Sequence, residues 1–135
     1  DNEVSIIMQN MSFNKNSRRE KGSNKMSEVS KIEQKYPQTT KAFNEIYIEM
    51  YELFAKKQLD YGPQNISMGQ SLETQEEIDF SLLALSIRMN DKLQRLMNLL
   101  RNNQKPNNES IEDTLIDLAN YSVMALIVKK GRWAK

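Results

Sequence analysis

Asp117 and Asn120 stand in a stretch that is otherwise mostly apolar from Leu115 to Val128, and Asp113 stands two residues before it. On a helix their i, i+4, i+7 spacing projects them from one narrow strip, and here that strip continues into Met124 and Val128. No solvated surface would choose such a sequence. An ionised carboxylate left unpaired between Ile116 and Leu118 is costly, so Asp117 needs a cation or strong donors. Two carboxylates one helical turn apart are placed to hold one Mg²⁺ between them. The plainer alternative is that Asp113 is only an N-terminal cap and that Asp117 forms a buried salt bridge with Arg88 or Arg95.

Two further groups bear on the same chemistry. Glu45, Glu49 and Glu52 form an acidic stripe, which alone reads as a solvated helix face and gains meaning only if it converges with the Asp113–Asp117 strip. Arg88, Asp91, Lys92 and Arg95 read as intrahelical pairs. Beside a carboxylate-bound cation, the same Arg and Lys donors would neutralise charge on a leaving pyrophosphate. With no Cys and no His in the chain, thiolate and imidazole chemistry and the usual zinc ligands are absent. Any metal chemistry then rests on carboxylate oxygens and on Mg²⁺, Mn²⁺ or Ca²⁺.

These residues belong to a chain of 135 residues with 39% hydrophobic composition, which suits one domain with one modest core. A formal net charge of +1 supplies no cation surplus for coating nucleic acid, so bulk nucleic-acid binding is not expected. The longest apolar run, Tyr121 to Val128, is far short of a membrane span, and Val4 to Met8 is too brief for a signal-peptide core. The expected setting is cytoplasmic, without a membrane partner.

Few, scattered Gly and Pro leave long uninterrupted segments, and the expected fold is all-α. Three long helices and a short connecting helix are expected. The first runs from Thr39 or Thr40 to about Asp60, stopped by Gly62 and Pro63, with Phe43, Ile46, Tyr47, Met50, Leu53 and Phe54 as its buried side. A connection over 62–80 holds the short helix, capped by Thr74 with Glu77 three residues on. The second long helix covers Phe80 to Asn102 and buries Leu82, Leu85, Met89, Leu93, Leu96, Met97 and Leu100. The third starts at a Ser110 cap and ends before Gly131; as an all-round apolar helix it is expected to be central or at a subunit interface. Residues 1–35 form a polar arm with a basic cluster at Lys15, Arg18, Arg19, Lys21 and Lys25, read as a solvated tail, and 36–135 form the helical domain. Met26 opens a segment that would serve as a natural start, so the residues before it read either as an appendage of the core domain or as an addition foreign to the natural protein.

Three strings carry a resemblance: Asp60-Tyr61-Gly62-Pro63 after a helical Phe54-Ala55-Lys56-Lys57; Arg88-Met89-Asn90-Asp91-Lys92-Leu93-Gln94-Arg95-Leu96; and the run from Glu109 to Tyr121 that contains Asp117-Leu118-Ala119-Asn120-Tyr121. Over about residues 40–133 the chain resembles the phage-associated family called nucleotide modification associated domain 1. That family is similar in layout to the all-α nucleotide pyrophosphohydrolases, the MazG and dimeric dUTPase group, which cleave nucleoside triphosphates to monophosphate and pyrophosphate with Mg²⁺. In that group one helix carries ExxE and a later helix ExxD. Glu49 and Glu52 match the first pair and Asp117 the final Asp, while Thr114 stands where the second Glu is expected.

The resemblance implies a Mg²⁺-dependent nucleotide-binding protein, with Mn²⁺ as a substitute, in a bacterial or phage-infected cell. As an enzyme it would hydrolyse a nucleoside or deoxynucleoside triphosphate, with Glu49, Glu52, Asp113 and Asp117 holding metal and a metal-bound water as nucleophile. Arg88, Lys92 and Arg95 would hold phosphates, and Asn120, Asn65 and Tyr61 would contact base or sugar. The Thr114 departure leaves enzyme status open: the alternatives are a protein that binds or sequesters a nucleotide or signalling molecule without turnover, and a helical interaction protein with structural buried acids. A homo-oligomer, most simply a dimer, is expected to complete the bundle around the third helix.

Overall fold

The computed structural model describes residues 26–135, and among them there are five helices and no strand. The fold class is all-α, as expected. The basic cluster Lys15, Arg18, Arg19, Lys21 and Lys25 and the Val4–Met8 run lie outside the described residues. The chain divides into two units, residues 1–52 and 53–135.

The described part of the first unit holds α1 (Glu28–Lys35) and the start of α2 (Pro37–Tyr61). Ser27 caps α1, its hydroxyl accepting the Ser30 N–H, so a helix stands inside the segment expected to be a polar, solvated arm. No α1 residue is buried, which agrees with that segment's poverty in apolar side chains. α2 starts at Pro37, earlier than the expected Thr39 or Thr40, because proline suits the first helical position, where its missing N–H costs nothing. The expected buried side of this part is corrected. Phe43, Ile46 and Tyr47 are exposed and Ile48 is the buried residue. An apolar arc that broad does not by itself say which part of it meets a neighbour.

The second unit contains the end of α2, α3 (Gln64–Ser67), α4 (Gln75–Arg101) and α5 (Ile111–Lys129). Gly62, at φ +69°, follows α2 in the left-handed conformation that glycine adopts without a Cβ penalty. The connecting helix is α3, and Thr74 caps α4 instead: its side chain accepts the Glu77 N–H while the Glu77 carboxylate accepts the Thr74 N–H. Neither Gly nor Pro interrupts residues 75–80, so the capped turn runs straight into the long helix expected from Phe80.

α4 packs against α5, and α3 against α4. The core joins Ile66, Leu72, Leu85, Met124, Val128 and Trp133, with Phe54, Ile78, Leu82 and Tyr121 packed around it. Leu85 is buried as expected, whereas Leu93 and Leu100 are exposed and Ser81 and Leu99 are buried. Ser81 is tolerated inside because its hydroxyl donates to the Ile66 carbonyl at 2.7 Å. α5 is not buried all round: one stripe, Thr114, Asp117, Asn120, Met124 and Val128, is buried, while Leu115, Val123 and Leu126 on the other side are exposed. No described helix is long and apolar enough to cross a membrane.

Candidate functional site

The buried stripe of α5 is polar where it begins and apolar where it ends, and a cavity of about 440 Å³ in the second unit lies beside it. Phe54, Lys57, Gln58 and Tyr61 line it from α2 at i, i+3, i+4 and i+7, one face of that helix. Asn65 and Ile66 come from α3, Arg88 and Lys92 from α4, and Asp117, Asn120, Tyr121 and Met124 from α5. Glu109 enters from the turn before α5, whose N-terminus is held by Ser110 accepting the Asp113 N–H. Trp133 anchors this region, its indole N–H donating to the Pro63 carbonyl at 3.0 Å and its ring meeting Phe54 edge-on at 6.2 Å.

Asp117 is the centre of the charges. Lys57 donates to its Oδ1 at 2.7 Å and Lys92 to its Oδ2 at 2.9 Å. Lys92 also donates to both Glu109 oxygens, at 2.8 and 2.6 Å, so its ammonium bridges two carboxylates. Burial pushes the Asp117 carboxyl up, but the hydrogen bonds and charges of Lys57 and Lys92 outweigh it and hold the group below the usual carboxylate range. Burial likewise pushes the Lys92 ammonium down, and Glu109 and Asp117 reverse this, so its pKa lies above the ordinary lysine value. The salt-bridge alternative for Asp117 therefore holds with different partners: two lysines take the place expected for Arg88 or Arg95.

Those arginines leave their own helix. Arg88 Nη2 donates to the Asn65 carbonyl at 2.7 Å, and Arg95 donates to the Thr114 hydroxyl at 2.6 Å and to the Glu109 carbonyl. Buried Thr114 in turn lies 3.0 Å from Glu109 Oε1, so a carboxylate from the preceding turn reaches the residue that stands in place of the expected Glu.

The family model for nucleotide modification associated domain 1 matches residues 57–128, just over half of the chain and the span that supplies nearly every residue of this cavity. The chain belongs to that family. No curated protein and no solved structure matches the chain.

Of the residues the sequence singles out, this member of the family brings Tyr61, Asn65, Arg88, Lys92, Asp117 and Asn120 together around the cavity. Arg95 stands behind it on Thr114 and Glu109. Asp113 shares the strip of Asp117 but stands in the first turn of α5, where it is exposed and does not line the cavity. Glu49, exposed, and Glu52, half-buried, lie on α2 in the first unit and do not line the cavity. Five and two residues before Phe54, at about 100° per residue, they fall on the far side of α2 from its cavity-lining face. Among the described residues no three acidic side chains converge where a metal ion would sit.

Sequence reasoning missed Lys57, Gln58, Phe54 and Glu109. A signal existed for the first two: they stand four and three residues before Tyr61, on the face that Tyr61 already marked. Glu109 had no periodic signal, because a turn residue carries no periodicity, and was marked only as the first residue of a string that carries the family resemblance.

Proposed function

We propose that this protein binds a nucleotide in the α2–α5 cavity, its phosphate held by Lys57 and Arg88 with Lys92 fixing the carboxylates behind them. The observation that carries this is the lining itself. Three cations face three side-chain amides (Gln58, Asn65 and Asn120) and three aromatic rings (Phe54, Tyr61 and Tyr121) around one space. Cations and a guanidinium suit phosphate oxygens, and rings and amides suit the face and edge of a base. The family's description, nucleotide modification associated, agrees with that chemistry.

A second reading, hydrolysis of a nucleoside triphosphate to monophosphate and pyrophosphate, draws support from Asp117 and Glu109, which bring two carboxylates to the cavity beside Thr114. Both carboxylates already accept from Lys92, and Asp117 from Lys57 as well. This donor set fits retained ammonium groups and does not fit a resident divalent ion. Mg²⁺ in the hydrolytic reading would arrive with the polyphosphate and neutralise its charge.

Titration with the four common deoxynucleoside triphosphates, with and without Mg²⁺, tests both readings through thermal unfolding and pyrophosphate release. A ligand at a hundred times its Kd stabilises by about 2.7 kcal/mol. Stabilisation without release supports binding alone, and release supports hydrolysis. Neither response to any nucleotide refutes both and leaves the helical interaction protein with structural acids.

A further inference from the structure

The cavity holds more donors than its own carboxylates consume, but not many more. Its charged lining is Lys57, Arg88, Lys92, Glu109 and Asp117, a net single positive charge. An ammonium has three N–H donors and a guanidinium five. Lys92 is spent, since its contacts to Glu109 Oε1, Glu109 Oε2 and Asp117 Oδ2, at 2.8, 2.6 and 2.9 Å, use all three. Lys57 is different: its side chain is 44% exposed and it makes one hydrogen bond, to Asp117. Arg88 uses one donor, on the Asn65 carbonyl, and that bond fixes the guanidinium at the cavity wall with its remaining N–H groups to spare. Two cations with donors to spare thus face the space.

Beyond Arg88 and Lys92, which it shares with the cavity, the neighbouring surface depression adds no net charge. It is lined by Arg88, Asp91, Lys92, Arg95 and Tyr121. Arg95 spends two of its five donors on the Thr114 hydroxyl and the Glu109 carbonyl, and the Asp91 carboxylate that accompanies it would face any phosphate leaving the cavity on that side.

Resting on the nucleotide reading above, we infer that the ligand is a nucleoside monophosphate, its single phosphate bridged by Lys57 and Arg88 without a divalent cation. A phosphate monoester, which the spare donors of Lys57 and Arg88 can receive, carries about −1.5 to −2 charges at neutral pH and already uses up the lining's net single positive charge. Each additional phosphate group brings charge for which no further cation with spare donors lines the cavity.

Calorimetric titration in chelator tests this, using each of the four deoxynucleosides and its 5′-mono-, di- and triphosphate. For at least one base the monophosphate is expected to bind about tenfold or more tighter than the nucleoside, as charge-assisted phosphate contacts provide, with the di- and triphosphate within about threefold of the monophosphate. Lys57→Met, at a half-exposed position, and Arg88→Gln, which retains a donor for the Asn65 carbonyl, are both expected to shrink the monophosphate-to-nucleoside ratio. A tenfold gain with every added phosphate, or monophosphate binding that appears only with Mg²⁺, overturns the monophosphate assignment and leaves nucleotide binding intact. If no member of any series binds, nucleotide binding itself fails and this assignment with it.

Discussion

Replacing Lys92 by Met should cost more stability than replacing Asp117 by Asn, although the two residues share one ion pair. Lys92→Met removes the ammonium that serves two carboxylates, with its side chain only 22% exposed. Breaking a buried pair by deleting one partner costs about 3–5 kcal/mol when nothing else compensates. Here Asp117 keeps Lys57, and Glu109 keeps the Thr114 hydroxyl and its own access to water, which lowers the expectation to about 2–4 kcal/mol. Asp117→Asn strands much less. Lys92 retains both Glu109 oxygens and half-exposed Lys57 turns to water, so the loss should be about 1 kcal/mol. In the double variant the penalties should be less than additive, since Lys92→Met no longer strands a charge at position 117. Urea unfolding followed by helical circular dichroism measures all three variants. Acid supplies a second check. The Asp117 carboxyl is depressed in the folded protein, so its contribution is full above the ordinary value of 3.8 and is lost as pH falls through the lower folded value. With Lys92 gone that depression weakens, and the Lys92→Met penalty should shrink between about pH 7 and pH 3 as the stranded carboxylate takes up a proton. An Asp117→Asn loss equal to or above that of Lys92→Met, or a Lys92→Met penalty unchanged in acid, would refute the bridging role.

Thr74→Ala removes the half of the α4 capping box in which the Thr74 hydroxyl accepts the Glu77 N–H and should cost about 1 kcal/mol in the same urea experiment, while Glu77→Ala removes the other half, the carboxylate that accepts the Thr74 N–H, and should also destabilise; a Thr74→Ala change below about 0.3 kcal/mol would mean that tertiary packing alone sets the start of α4. Light scattering at micromolar concentration should give twice the 15.8 kDa of one chain, because the outward face of α5 leaves Leu115, Val123 and Leu126 at 50%, 44% and 57% exposure. A mass of one chain that persists as concentration rises counts against the dimer.

Local chemistry made much of this protein legible from its residues alone. Ser110 with Asp113, Thr74 with Glu77, and Gly131 after Lys129 and Lys130 mark helix ends whose signals lie within a few residues. Helical period placed Asp117, Asn120, Met124 and Val128 on one strip, and the apolar company of Asp117 required a compensated carboxylate; both follow from neighbours in the chain, and Asp117 is indeed buried on two ammoniums. What compensates it was not legible. Lys57 lies sixty positions away and Glu109 in a turn, and such pairings exist only once α2, α4 and α5 have packed. Arg88 and Arg95 were equally plausible partners by spacing, yet packing sends one to the Asn65 carbonyl and the other to Thr114 and Glu109. The buried part of a broad apolar arc, as on α2, is likewise chosen by the neighbouring surface. Periodicity assigns residues to faces, but only tertiary packing decides which face finds a partner and which charges meet across the space between helices.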